Sequence, residues 1–126
     1  MTAMRVLVME DDPSVRGLLN TLLSAEGYDV TTAADGSAGL GKAASALPGL
    51  IVLDLIMPDV GGVVVLEQLR QDPVLSAVPV LVVTGQIDAV PDIRVLVGED
   101  NVFLKPFAVS ELLARVGDLT GGPEAG

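Results

Sequence analysis

The amino-acid sequence predicts an α/β fold in which five parallel strands form one doubly wound sheet with helices on both faces. Short apolar runs alternate along the chain with longer segments of helical periodicity, and this alternation is typical of a parallel sheet. Four of the five runs are apolar at almost every position, as expected for strands covered on both faces, whereas the second run is weaker and alternates in character. A length of 126 residues fits one domain.

The first three strands and the helices between them have clear boundary signals. The first helix begins at Pro13, after the N-cap candidate Asp12, and ends at Gly27. An alanine-rich helix of low amphipathicity follows at Gly36–Ala46. We predict strands at Arg5–Met9, Asp29–Ala33 and Leu50–Leu53. The apolar residues that form the inward face of the first helix are Val15, Leu18, Leu19, Leu22 and Leu23.

The second half of the chain completes the alternation but contains one irregular segment. Between residues 86 and 100 the pattern predicts only a short, atypical fourth helix near Asp92–Val97, with Pro91 at its start. The other predicted elements are helices at Val60–Gln71 and Val109–Leu119 and strands at Val80–Val83 and Val102–Leu104. We expect one domain over residues 1–119 and a flexible tail over residues 120–126.

The composition excludes several classes of function. Seven Lys and Arg residues against a net charge of −10 form no basic patch, so no direct contact with nucleic acid is expected. No apolar run reaches the roughly 20 residues of a membrane span, and without cysteine there are no disulfides or thiolate metal sites. We therefore expect a cytoplasmic protein. Its core should be aliphatic, because the only aromatic residues are Tyr28, Phe103 and Phe107.

Polar residues directly follow four of the five predicted strands. Because the carboxyl ends of parallel strands meet at one edge of a sheet, where such folds bind ligands, we expect these side chains to lie close together. They are Glu10, Asp11 and Asp12 after the first strand, Asp54 after the third, Thr84 at the end of the fourth and Lys105 after the fifth.

This set of side chains suits phosphoryl transfer to a carboxylate. Clustered carboxylates repel one another and favour a cation, and Mg²⁺ prefers oxygen ligands. A carboxylate is already anionic, so it can act as a nucleophile without a general base, which matters in a chain that has no histidine. Lys105 and Thr84 could stabilise the charge of the transferred group. Taken singly, each residue also has a simpler interpretation, since Asp12 is foremost an N-cap candidate and an Asp after a strand is commonly a turn residue.

Four segments resemble the response-regulator receiver family in their order and spacing. They are Val6–Pro13, Ile51–Asp59 together with Gly62, Pro79–Gly85, and Phe103–Phe107, and the resemblance extends from Arg5 to about Leu119. It implies a flavodoxin-like sheet with strand order 2-1-3-4-5.

The resemblance also implies a role for each site residue. Asp54 is the expected phosphoacceptor, and Thr84 and Lys105 are expected to contact the phosphoryl group. The expected Mg²⁺ ligands are Glu10, Asp11, Asp54 and the backbone carbonyl of Leu55, with Asp11 a more direct ligand than Glu10. The Met57 side chain is not an expected ligand, and the bond between Lys105 and Pro106 is expected to be cis.

Two departures from the family pattern concern how phosphorylation is read out and how long it lasts. Val102 occupies a position where the family commonly has an aromatic switch residue, and the segment between Thr84 and Lys105 is slightly short. We therefore expect Thr84 to move on phosphorylation without an aromatic flip. Ile56 is apolar and cannot position a water molecule that attacks the phosphoryl group, whereas Gln86 could. Gln86→Ala is therefore predicted to change the dephosphorylation rate without preventing phosphorylation.

The function expected from the resemblance is that of a stand-alone signalling switch, not of an enzyme. The expected phosphoryl donor is a sensor histidine kinase or a phosphotransfer protein, and the output is contact with an unknown downstream protein, the domain being a monomer or weak dimer. One alternative is a pseudo-receiver that binds partners without being phosphorylated. An aspartyl-phosphate hydrolase is disfavoured because Ile56 stands where a second Asp is usual, and a flavin-binding module is disfavoured because acids follow the first strand.

Overall fold

The predicted five-stranded parallel sheet is confirmed by the structure, a computed structural model that describes residues 2–85 and 90–125. The strands are β2 (Arg5–Met9), β3 (Asp29–Ala33), β4 (Leu50–Leu53), β5 (Val80–Thr84) and β6 (Val102–Leu104). They lie in the order β3-β2-β4-β5-β6. This is the expected order 2-1-3-4-5 once the short N-terminal strand β1 (Thr2–Ala3) is counted separately.

In the part of the chain that the structure describes, five helices connect the strands, at positions close to those predicted. They are α1 (Pro13–Ala25), α2 (Gly36–Ala46), α3 (Gly62–Gln71), α4 (Val90–Val97) and α5 (Val109–Thr120), with short 3₁₀ turns at Leu75–Ala77 and Glu99–Asn101. Helix α3 begins two residues later than Val60, because Gly61 is extended and the Gly62 N–H donates to the Leu55 carbonyl. The connection before α3 is therefore longer than predicted.

The core has two layers, one on each face of the sheet. Along β2, Leu7 and Met9 point to one face while Val6 and Val8 point to the other, as the period of a strand requires. The first layer includes Val65, Leu66 and Leu69 of α3 and Ile93 and Val97 of α4. The second includes Leu19 and Leu23 of α1 and Leu112 and Val116 of α5. Tyr28 is the aromatic residue buried in this mainly aliphatic core.

Helix α1 confirms its predicted cap but corrects its predicted inward face. The Asp12 carboxylate accepts hydrogen bonds from the backbone N–H groups of Ser14 and Val15 at 2.8 and 3.4 Å. Leu19 and Leu23 are fully buried, whereas Leu18 is 45% exposed. The reason is that the sheet covers a narrower stripe of the helix than the five apolar positions span, so Leu18 lies at its edge.

Short strands near the two ends of the described residues pair with each other, and the flexible tail expected over residues 120–126 stays a prediction. Strand β7 (Glu124–Ala125) pairs antiparallel with β1, and the Met4 N–H donates to the Pro123 carbonyl at 2.7 Å. Gly121 and Gly122 have positive φ angles of 78° and 106°, which a glycine adopts at little cost. They turn the chain after α5 back toward the start of the sheet, so backbone pairing holds residues 123–125.

Candidate functional site

Three carboxylates meet at the carboxyl-terminal edge of the sheet, as the strand ends predicted. Parallel register sets Met9 beside Leu53, so the residues that follow them, Glu10 and Asp54, are neighbours. Glu10 and Asp54 are buried, with relative exposures of 1% and 4%, whereas Asp11 is exposed. Single carboxylate oxygens of Glu10, Asp11 and Asp54 all lie within 4.8 Å of one another.

Lys105 joins this cluster from the loop after β6. Its Nζ donates to Glu10 Oε1 at 2.5 Å and to Asp54 Oδ2 at 3.3 Å. The peptide bond between Lys105 and Pro106 is cis, as expected. One ammonium group therefore contacts the two buried carboxylates directly.

Burial and pairing shift the pKa values of two groups in the cluster. The pKa of Glu10 rises from 4.5 to about 7, first because burial penalises its charged form and then because Asp54 is adjacent, while Lys105 partly opposes the rise. Burial alone would lower the pKa of Lys105. The hydrogen bond to Glu10 and the charge of Asp54 outweigh that effect and raise the Lys105 pKa above its ordinary value. Lys105 therefore stays charged at neutral pH, and protons bind Glu10 readily.

Thr84 is placed next to the cluster by the pairing of β5 with β6. It is the last residue of β5, its side chain is fully buried, and its carbonyl accepts from the Lys105 N–H at 2.9 Å. The structure therefore brings Glu10, Asp11, Asp54, Thr84 and Lys105 to one edge of the sheet, as predicted. Gln86 lies outside the described residues.

The loop after Asp54 is held close to α3 by a glycine. The Ile56 N–H donates to Asp54 Oδ1 at 3.2 Å, and the Gly62 N–H donates to the Leu55 carbonyl at 3.0 Å. A Cβ atom on Gly62 would lie only 2.3 Å from the Asp54 carbonyl oxygen, so a larger residue there would displace the Asp54 backbone. The Met57 side chain is buried in the core.

Val102 and Phe103, which are neighbours in β6, face opposite sides of the sheet. Val102 packs against the layer that contains α3 and α4, while Phe103 packs against the layer that contains α1 and α5. Adjacent strand residues face opposite sides of a sheet, so Phe103 cannot substitute for an aromatic at Val102.

Two further features of the site were not predicted from the sequence. An apolar cleft of about 400 Å³ adjoins Lys105 and is lined by Val15, Leu18, Pro106, Phe107 and Val109. Arg16 donates hydrogen bonds to the backbone carbonyls of Glu10 and Asp11. The Arg16 contact could have been suspected from the sequence. A basic residue near a helix N-terminus is unfavourable for the helix dipole, so its presence there suggests that it contacts a different group.

Family comparison agrees with this geometry. The family described as "Response regulator receiver domain" matches residues 6–117. The chain belongs to the response regulator receiver family. Curated relatives include the DNA-binding dual master transcriptional regulator RpaA of Synechocystis, 42% identical over 89% of this chain and 47% of its own length. Another is the DNA-binding response regulator MtrA of Mycolicibacterium smegmatis, 39% identical over 89% of this chain and 48% of its own length.

Solved structures share the receiver fold over almost the whole of this chain. A putative response regulator from Chloroflexus aurantiacus has a TM-score of 0.87 at 29% identity, covering 95% of this chain and 99% of its own. The chemotaxis protein CheY4 of Vibrio cholerae has a TM-score of 0.84 at 28% identity, covering 94% of this chain and 99% of its own. This chain spans about half the length of the curated relatives it matches, and its stand-alone character stays a prediction. Within residues 2–85 and 90–125, no helix is long and apolar enough to span a membrane.

Proposed function

We propose that this receiver domain accepts a phosphoryl group on Asp54 and thereby works as a signalling switch. The observation that carries the proposal is the placement of the buried Asp54 carboxylate. It lies 3.3 Å from the Lys105 ammonium and forms one cluster with Glu10 and Asp11. The expected donor is a phosphohistidine on a sensor histidine kinase or a phosphotransfer protein.

The proposed transfer step is a direct displacement at phosphorus by the Asp54 carboxylate. An Asp54 carboxylate oxygen attacks the phosphorus atom, the new O–P bond forms as the donor N–P bond breaks, and the electron pair returns to the imidazole nitrogen. Asp54 gives up no proton, so the absence of histidine from the sequence is no obstacle. Lys105, which contacts Asp54 before transfer, can follow the negative charge onto the phosphoryl oxygens.

The cluster fits Mg²⁺ because it offers several hard oxygen ligands in a small volume. Glu10, Asp11 and Asp54 would hold the ion, which supplies positive charge that offsets repulsion between the carboxylates and an incoming phosphoryl group. The Leu55 carbonyl already accepts from Gly62, so only its second lone pair is free for a metal.

Thr84 is proposed to couple the phosphoryl group to the rest of the domain. Its side chain is buried and its carbonyl accepts from the Lys105 N–H, so a displaced Thr84 would also move the Lys105 backbone. A structure bound to beryllium fluoride, a phosphoryl mimic, should show Thr84 displaced toward Asp54. An unmoved Thr84 in that structure would contradict the proposed coupling.

The apolar cleft beside Lys105 is proposed to be the docking surface for the protein that donates the phosphoryl group. A donor must bring its phosphohistidine to Asp54, and the cleft shares Lys105 with the site. Leu18 is 45% exposed there, so Leu18→Asp should leave the fold intact. It should slow transfer from any histidine kinase that labels the parent chain while leaving labelling by acetyl phosphate unchanged. Equal kinase transfer would remove the cleft from the proposal.

The output is proposed to be contact with a downstream protein in the cytoplasm, the domain being a monomer or weak dimer. Two of the relatives are named as DNA-binding regulators. A net charge of −10 disfavours nucleic-acid contact, so we propose no such contact for the receiver domain itself.

Mass spectrometry after incubation with acetyl phosphate tests the proposal. The parent chain should gain a phosphoryl group in the presence of Mg²⁺ and not in EDTA, and Asp54→Ala should gain none. Asp59→Asn is a matched control, because Asp59 is an exposed carboxylate of the same loop with φ of 70°, a conformation that Asn tolerates. An unlabelled parent chain, tested also with histidine kinases, would favour a pseudo-receiver.

A further inference from the structure

Arg16 holds the backbone of the two residues that carry acidic side chains of the site. The Nη1 atom of Arg16 donates to the Glu10 carbonyl at 3.0 Å and to the Asp11 carbonyl at 3.1 Å. These carbonyls belong to the turn between β2 and α1, and the Arg16 side chain is half-buried. Hydrogen bonds from a charged donor are stronger than those between neutral groups, so this contact restrains the turn.

The position of the turn backbone decides where the two carboxylates lie. Glu10 directs its side chain inward to Lys105, whereas Asp11 is exposed and has a carboxylate oxygen within 4.8 Å of the other two acids. Neighbouring acids repel one another, so they have no tendency to converge unaided. Asp12 fixes the other end of the turn by capping α1. Arg16 is thus the side chain that ties the acidic pair to the first turns of that helix.

We propose that Arg16 is a positioning residue, which holds Glu10 and Asp11 in the arrangement that binds a divalent cation. This inference rests on the proposed function, and it concerns the backbone of the site without placing Arg16 in contact with the cation or with the phosphoryl group. Residues that orient metal ligands typically change metal affinity by 10–100-fold when they are replaced.

A purely electrostatic role for Arg16 predicts the opposite effect. A positive charge near three carboxylates repels a cation, so its removal alone would strengthen Mg²⁺ binding. Loss of positioning would weaken Mg²⁺ binding. The sign of the change in affinity therefore separates the two roles.

Arg70 provides a matched control within the same chain. It is also half-buried and also uses Nη1 to bond two backbone carbonyls, those of Ser76 and Val78, at 3.1 Å each. Arg70→Met and Arg16→Met remove the same charge and the same kind of contact, but only Arg16 bonds to residues of the acidic cluster. A general effect of net charge or of stability should appear equally in both variants.

The test is calorimetric titration of the unphosphorylated full chain with MgCl₂, combined with thermal unfolding in EDTA. The variants are Arg16→Met, Arg16→Lys and Arg70→Met. We expect Mg²⁺ binding about tenfold weaker in Arg16→Met, partly restored in Arg16→Lys, and unchanged in Arg70→Met. Similar unfolding temperatures of the two Met variants would show that the loss of affinity is not a loss of folding.

Three results would overturn the inference. Arg16→Met that binds Mg²⁺ as well as the parent, or more tightly, contradicts positioning while the proposed function stands. Arg70→Met that weakens Mg²⁺ binding as much as Arg16→Met shows a general effect. A parent chain that binds no Mg²⁺ contradicts the proposed function itself, and the inference falls with it.

Discussion

The acidic edge of the sheet, which carries Glu10, Asp11 and Asp54, and the α4 region, which is α4 with the 3₁₀ turn after it, differ in what holds them in place. Glu10, Asp54 and Thr84 directly follow or end strands of the buried parallel sheet, so strand register brings them to one edge. In α4, by contrast, Val95 is 85% exposed and Leu96 46% exposed. The comparison shows that the groups proposed for the chemistry are attached to buried strands, while two apolar side chains of α4 face solvent.

A buried polar side chain helps to hold the α4 region in place, whereas strand pairing places the acidic edge. Of the described residues, the buried polar ones are Glu10, Asp54, Thr84 and Asn101, and only Asn101 lies outside the site. Its Nδ2 donates to the Val97 carbonyl at 2.6 Å, and its Oδ1 accepts from Arg115 Nε at 2.8 Å. Asn101 therefore links the end of α4 to α5.

Lys105→Met should have the largest effect, because it removes the cation that contacts both buried carboxylates. Loss of one donor to a developing charge typically costs about 100-fold or more in rate. We expect a loss of this size in the phosphorylation rate with acetyl phosphate, measured by mass spectrometry over time. Lys42→Met is the control, since the exposed Lys42 donates to the Thr32 carbonyl away from the site. Similar rates in both variants would exclude Lys105 from the chemistry.

Glu10 should make the metal-free protein less stable as pH rises. Its pKa is about 7 in the folded chain and near 4.5 when unfolded, so between these values the folded state binds more protons. Stability contributed by this protonation is full below about pH 4.5 and is lost as pH rises through 7. We expect the free energy of unfolding in EDTA to fall by about 1–3 kcal/mol over this range. Urea denaturation of the parent and of Glu10→Gln at pH 5 and pH 8 checks the effect, which Glu10→Gln should largely abolish.

Asn101→Ala should separate the two regions. It leaves the Val97 carbonyl and Arg115 without the partner described above, which should lower the free energy of unfolding by about 2 kcal/mol. Labelling of Asp54 by acetyl phosphate should stay within about twofold of the parent, because the acidic edge is fixed by strands. Denaturant unfolding and labelling rates measure the two effects. A large drop in labelling would show that the α4 region and the site are one cooperative unit.

Truncation after Gly122 should have the smallest effect. It removes the Pro123 carbonyl that accepts from Met4 and the short strand β7. We expect the free energy of unfolding to fall by about 1 kcal/mol or less, with no change in labelling of Asp54. A loss of several kcal/mol in denaturant unfolding would mean that the terminal pairing supports the sheet itself.

The elements with strong periodic or capping signals were predicted almost to the residue. Strands β2, β3, β4 and β6 have the predicted bounds, and Asp12 caps α1 as expected. The start of α3 was predicted less accurately, because the Gly62 N–H donates to the Leu55 carbonyl across the preceding loop. Strand β7 pairs with β1 from the opposite end of the chain. No periodic signal in the sequence marks either contact.

The sequence by itself determined the parallel sheet and the set of side chains at its edge. Runs of apolar residues specify strands buried on both faces, and a polar residue follows four of the five predicted strands. Only the tertiary structure decided how those side chains pair. The contact of Lys105 with both Glu10 and Asp54, the raised pKa of Glu10 and the hold of Arg16 on the β2–α1 turn depend on burial and on distances between atoms. The Lys105 contacts and the raised Glu10 pKa arise only when strands far apart in sequence are brought side by side.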